Sequence, residues 1–213
     1  MTKHEWRKKE KSIYQPKTEP QFIDVPSFQF ITLAGEGNPN SESFSEYIGA
    51  LYSLAYGLKM NLKKEALQPE GYQDFTVYPL EGVWDLNEEA KRTFTGTFSK
   101  DDLVFNLMIR QPDYIPLEYM EHIRQEVLKK KSNPLVEQIK IERIQEGPCV
   151  QMMHVGSYDD EPASFARMED FTKKMGSTRL SKIHREIYLS DFRKVDPEKL
   201  KTILRFGVDK IPG

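Results

Sequence analysis

The sequence predicts an α+β fold: two similar strand-helix-strand-strand modules forming one antiparallel sheet, with helices on one face and a central cleft. Three observations predict it. An apolar run closed by glycine occurs twice, as Gln29-Phe30-Ile31-Thr32-Leu33 before Gly35-Glu36-Gly37 and as Cys149-Val150-Gln151-Met152-Met153-His154-Val155 before Gly156. A helix-patterned stretch follows each run. Two further strand-like runs then follow each helix, Val77-Tyr78-Pro79-Leu80 answering Ile187-Tyr188-Leu189, and Leu107-Met108-Ile109-Arg110 answering Thr202-Ile203-Leu204-Arg205. Two half-sheets side by side leave a cleft, and small ligands usually bind in clefts between packed units.

Residues 1–26 are charged and carry Pro16, Pro20 and Pro26, which predicts an extended, solvated arm draped over residues 27–213. Module one covers 27–112. Its helix spans Asn40 to Leu58, with Phe44, Tyr47, Ile48, Leu51, Leu54, Ala55 and Leu58 at helical spacing. Ser43 with Glu46 reads as a capping box, and Ser41 or Asn40 is the alternative cap. Tyr52 and Tyr56, four apart, share one face beside that stripe. Lys59 to Tyr72 reads as polar linker. Phe75–Trp84 and Arg92–Arg110 then read as a strand pair joined by a polar turn.

A crossover helix over 116–131 begins at Pro116, buries Met120, Ile123, Val127 and Leu128, and ends on Lys129-Lys130-Lys131, where its dipole favours cations. Module two covers 136–208. Val136–Ile144 alternates weakly with period two and leads into the next strand through a Glu146-Gly147-Pro148 turn. The second helix spans Asp159 to Met175, capped by Asp159 or Asp160, entered at Pro162 and ended by Gly176. Pro197–Arg205 fits either a short turn and a strand or one helix; the repeat favours the strand.

Composition narrows the function. With 31 basic and 33 acidic side chains the net charge is −2, so the chain has no general attraction for nucleic acid or anionic membrane. No stretch approaches the roughly 18 apolar residues of a membrane span, and the expected location is the cytoplasm. One cysteine, Cys149, cannot form an internal disulfide, and its apolar strand makes it a buried thiol rather than a nucleophile. His4, His122, His154 and His184 are scattered without metal-ligand spacing, and no GxGxxG, P-loop or GxSxG is present. Neither a metal nor a cofactor is expected.

The candidate chemistry is one carboxylate among aromatics. On a strand through Arg185–Ser190, Glu186, Tyr188 and Ser190 share a face. Ile187 and Leu189 are then expected to pack on the helices, leaving Glu186 and Tyr188 toward the groove between the copies. Thr76 and Tyr78 hold the matching positions of module one. A glutamate among tyrosines is partly desolvated, which suits a general base or a site for cations. A surface carboxylate paired with Arg185, His184 or Lys182 is an equal alternative for Glu186, and a core aromatic is the plain alternative for Tyr78, Tyr188 and Trp84. Tyr114 lies on the loop Gln111-Pro112-Asp113-Tyr114 as a lid or a surface tyrosine. His154, at its strand end, reads first as structural.

Several blocks carry a family resemblance: Gln111-Pro112-Asp113-Tyr114, the run from His154-Val155-Gly156 to Pro162, and His184-Arg185-Glu186-Ile187-Tyr188-Leu189-Ser190-Asp191 followed by Pro197-Glu198-Lys199-Leu200-Lys201-Thr202. Over about residues 20–208 the chain resembles the GyrI-like small-molecule-binding family. The resemblance implies two modules related by a pseudo-twofold axis. It also implies a stand-alone member similar to the subgroup that hydrolyses cyclopropanoid DNA-alkylating natural products, as a cofactor-independent, detoxifying hydrolase. Glu186 maps onto the family's pocket glutamate. Tyr188 and Tyr78 are the candidate proton donors, and Trp84, Tyr114, Tyr56, Tyr158 and His154 the candidate ligand-binding set. Asp191-Phe192-Arg193 and Phe206-Gly207-Val208 depart from the family's Asp-Pro-Arg and Pro-Val endings. The expected partner is a flat hydrophobic or aromatic small molecule. Ligand sensing without chemistry and gyrase protection are the alternatives, the latter unsupported by the near-neutral charge.

Overall fold

The computed structural model describes residues 3–65, 68–130 and 133–212. The arm is not extended throughout. Two short helices, α1 (Trp6–Lys9) and α2 (Lys11–Tyr14), bury Trp6 and Tyr14 with ring centroids 5.1 Å apart, because two large rings so close in sequence gain more by packing than by solvation. Strand β1 runs Gln21–Glu36, longer than its apolar centre. Helix α3 (Glu42–Leu62) buries the predicted stripe, starts at Ser41 without a side-chain cap bond, and continues four residues past Leu58 to take in Leu62.

The largest correction lies between α3 and the next strand. Phe75 makes only an isolated bridge to His4, and strand β2 is Leu80–Leu86. Pro79 has no N–H to give a ladder, so pairing begins after it. Thr76 is therefore not the counterpart of Glu186. The expected long strand over Arg92–Arg110 also shortens. Asn87 accepts from the Ala90 amide at 2.8 Å and starts helix α4 (Glu88–Thr93), and strand β3 covers only Leu103–Gln111. Helix α5 (Leu117–Lys130) is the crossover; Lys131 lies outside the described residues, as do residues 66–67 of the expected linker.

One helical turn, α6 (Leu135–Gln138), precedes strand β4 (Lys140–Val155), replacing the start of the strand predicted from Val136. The turn expected at Glu146-Gly147-Pro148 is absorbed within β4, where Gly147 takes φ +68°. Helix α7 (Glu161–Lys174) follows a single turn at Tyr158–Asp160. Strand β5 is His184–Tyr188, and after a turn at Pro197–Lys199 strand β6 is Lys201–Gly207, as the repeat favoured.

The chain forms two compact units. The first holds the residues through Glu5, Phe28–Leu80 and Asp85–Ile144. In it β1 and β3 pair antiparallel from Gln29↔Gln111 to Glu36↔Val104. Gly35 is required there, since a Cβ would lie 2.5 Å from the Phe105 ring. The second unit holds Trp6–Ser27, Glu81–Trp84 and Gln145 onward. It is an antiparallel run β2-β5-β6-β4, with Gly82↔Glu186, Glu186↔Leu204 and Met152↔Leu204 in register. Its α7 face is a core of Val150, Met152, Met168, Leu204, Phe206 and Val208. Among the described residues no helix is long and apolar enough to cross a membrane.

Candidate active site

Period two along β5 separates His184, Glu186 and Tyr188 from Arg185 and Ile187. The face assignment expected from hydrophobicity is reversed. Leu204, directly across from Glu186, packs with Met168 of α7, so Glu186 and Tyr188 share the helix-covered face. Ile187 lies on the other face with Arg185, whose Nη1 meets Glu81 Oε2 at 2.6 Å and whose Nε is 3.0 Å from Glu146 Oε2. Arg205 Nη1 also donates to Glu146 Oε1, at 2.7 Å. A buried ionic network can fill an interior face as fully as leucine when every charge has a partner, which is why the apolar residue did not reveal the helix side.

On the α7 face the side chains converge on one carboxylate. Tyr188 Oη donates to Glu186 Oε2 at 2.7 Å and accepts from Trp84 Nε1 at 2.8 Å. His184 Nε2 lies 3.1 Å from Glu186 Oε1, and since a carboxylate only accepts, that nitrogen donates. Glu161, the first residue of α7, hydrogen-bonds Glu186 through its side chain. Burial, then the Glu186 charge, push the Glu161 carboxyl up to about 10. Burial and the same carboxylate hold the Tyr188 phenol well above its ordinary value. The Tyr158 ring stands edge-on to Tyr188 at 6.0 Å, its phenol pushed up to about 12 by burial and Glu186. Phe165 stands edge-on to His184 at 4.7 Å.

Gly82 completes the geometry. It stands directly across the ladder from Glu186, where any other residue would set a side chain beside the carboxylate. The result is a carboxylate with ordered donors and aromatic neighbours.

The structure brings together Glu186, Tyr188, Trp84 and Tyr158 of the predicted set. His154 sits in the same unit, but both its nitrogens are engaged within the fold, by Ser164 Oγ and the Ser157 carbonyl, each at 2.9 Å. The other three belong to the first unit. Tyr78 is buried, 3.5 Å from His4 Nε2, with the Arg110 guanidinium 4.7 Å over its ring. Tyr114 donates to the Gln73 carbonyl at 2.6 Å, and burial raises its phenol far above the ordinary range. Tyr56 is exposed and lies 6.1 Å from Tyr52 in a groove of 450 Å³ between α3 and α5. Cys149 is buried, its thiol pushed up to about 12 by that burial.

Glu161, His184 and Gly82 had not been singled out as site residues. The period that placed Glu186 and Tyr188 together also places His184 with them, so that signal was present. Gly82 needed the strand boundary. Glu161 stands in Tyr158-Asp159-Asp160-Glu161, and nothing local distinguishes the acid that is buried. Among the described residues no cluster of His, Cys, Asp and Glu is arranged to hold a metal.

Known proteins carry the same arrangement of chain. The family model of the GyrI-like small molecule binding domain matches residues 18–208. An uncharacterized conserved protein from Listeria innocua is similar at 38% identity, over 97% of this chain and 100% of its own, with a TM-score of 0.85. A hydrolase from Listeria innocua is 36% identical over the same shares of the two chains, with a TM-score of 0.85. The C-terminal domain of EcmrR, 14% identical over 91% of this chain and 98% of its own with a TM-score of 0.52, shares the fold alone. No curated protein matches the chain.

Proposed function

The chain belongs to the GyrI-like small-molecule-binding family, and on that premise we propose that it is a cofactor-independent hydrolase that adds water to a strained, conjugated electrophile of the cyclopropanoid kind. The observation that carries this reading is the Glu186 carboxylate, held by Tyr188, His184 and Glu161 with the glycine Gly82 across the ladder from it. A carboxylate offers about four lone-pair positions. The three partners leave one for a water. A base fixed by hydrogen bonds loses little orientational entropy when it acts.

In this mechanism Glu186 removes a proton from water as its oxygen attacks the strained ring carbon. The ring C–C bond breaks, and its electron pair passes into the conjugated carbonyl. Tyr188, with its one O–H given to Glu186, holds the base in position. Trp84 and Tyr158 supply flat apolar walls for a planar substrate. The relative from Listeria innocua described as a hydrolase supports chemistry at this fold.

The test is product analysis in water enriched in heavy oxygen. The reading expects the product of an activated cyclopropane to gain one water carrying the label. Binding without any product would favour the second reading, ligand sequestration, which the family's small-molecule-binding character and the acidic pair at Glu161 and Glu186 support for cationic ligands.

A further inference from the structure

Two carboxyl groups in contact cannot both be ionised without strong repulsion, so one of them carries a proton. Glu161 is only 6% exposed, and no N–H or O–H of the described residues reaches its Oε1. Glu186 is the opposite case, since Tyr188 and His184 both aim donors at it. Donors stabilise the charged form of a carboxylate, and a buried oxygen without donors disfavours it. The geometry therefore assigns the base to Glu186 and the proton to Glu161.

We propose that Glu161 is the general acid of the hydrolysis, storing the proton that ends on the product oxygen and recovering it from Glu186 across their hydrogen bond. This rests on the hydrolase reading above. The balance closes within the pair. Water gives one proton to Glu186 and its hydroxide to the ring carbon. The carbonyl oxygen, now carrying the electron pair of the broken C–C bond, takes the proton of Glu161. The proton on Glu186 then passes to Glu161, and both return to their starting states. Tyr188 gives its one O–H to Glu186 at 2.7 Å, so it orients the base while Glu161 transfers the proton. The groups facing the pair are His184 and Tyr188 from β5 and Tyr158 and Asp159 from the turn before α7, with Asp191 acting on Tyr158.

The experiment compares wild type with Glu161→Gln on two activated cyclopropanes whose product hydroxyls differ in acidity. A general acid matters most when the leaving oxygen is basic. Turnover of the more basic substrate should fall by about a hundredfold, that of the more acidic one by less than about tenfold, with KM nearly unchanged. Infrared spectra should show a protonated-carboxyl band at neutral pH that Glu161→Gln removes. Equal losses on both substrates, or no loss, would overturn the acid role, while abolition by Glu186→Gln would leave the hydrolase reading standing. Absence of the band overturns the inference whatever the activity. The band without turnover by wild type removes the hydrolase reading, and the donor role with it.

Discussion

Trp84 and Tyr188 are joined by a hydrogen bond of 2.8 Å from the indole Nε1 to the phenol oxygen. The contact bridges β2 and β5, and Tyr188 passes its own proton toward Glu186 at 2.7 Å. A buried donor that accepts one bond and gives another is fixed in its rotation, so the indole orients the phenol that orients the base.

Replacing Trp84 with Phe keeps an aromatic ring but deletes that donor together with part of the larger indole surface. A lost hydrogen bond of about 1–1.5 kcal/mol corresponds to about a tenfold loss of turnover. Steady-state kinetics should show the lost orientation of Tyr188 in kcat, with any change in KM reporting the smaller ring.

Gly82 offers a steric test. Its φ is outside the left-handed region, so a side chain is permitted by the backbone there. Gly82→Val should set a side chain across from Glu186, raise KM by about tenfold or more, and change the melting temperature little. Strong destabilisation instead would show that the position serves packing rather than access.

The repeat, the long helices α3, α5 and α7 and the shared face of Glu186 and Tyr188 were legible because side-chain periodicity encodes them directly. The side of the sheet that α7 covers was not. Arg185, Glu81, Glu146 and Arg205 fill the opposite face with paired charge, and no pattern of apolar residues marks a face built that way. The start of β2 was missed because Phe75, Val77 and Tyr78 have strand-like side chains, while Pro79 sets where pairing begins. Trp6 was read as solvated because its neighbours are charged; its burial against Tyr14 depends on two helical turns too short to show a period.

The ionic face makes its own prediction. Glu81→Ala leaves the buried Arg185 short of a carboxylate that stands 2.6 Å away, and should cost about 3–5 kcal/mol in denaturant unfolding. Substituting Lys199, whose partner Asp196 is exposed, should cost within about 1 kcal/mol.

Glu161 also links stability to pH. Its folded value near 10 stands far above the ordinary 4.5. Between those values the folded state binds the proton and the unfolded state does not, so this group's contribution falls as pH rises. Glu161→Gln removes the titration. The stability of Glu161→Gln relative to wild type should therefore increase steadily from about pH 5 to about pH 9. A difference constant with pH would mean that Glu161 is not the proton holder.

The most direct measurement is hydrolysis of an activated cyclopropane by wild type and by Glu186→Gln, followed by mass spectrometry for addition of one water. The account predicts that wild type converts the substrate. Glu186→Gln, with an unchanged melting temperature and retained binding, should lose at least about a hundredfold in rate. Equal conversion by both proteins would contradict it.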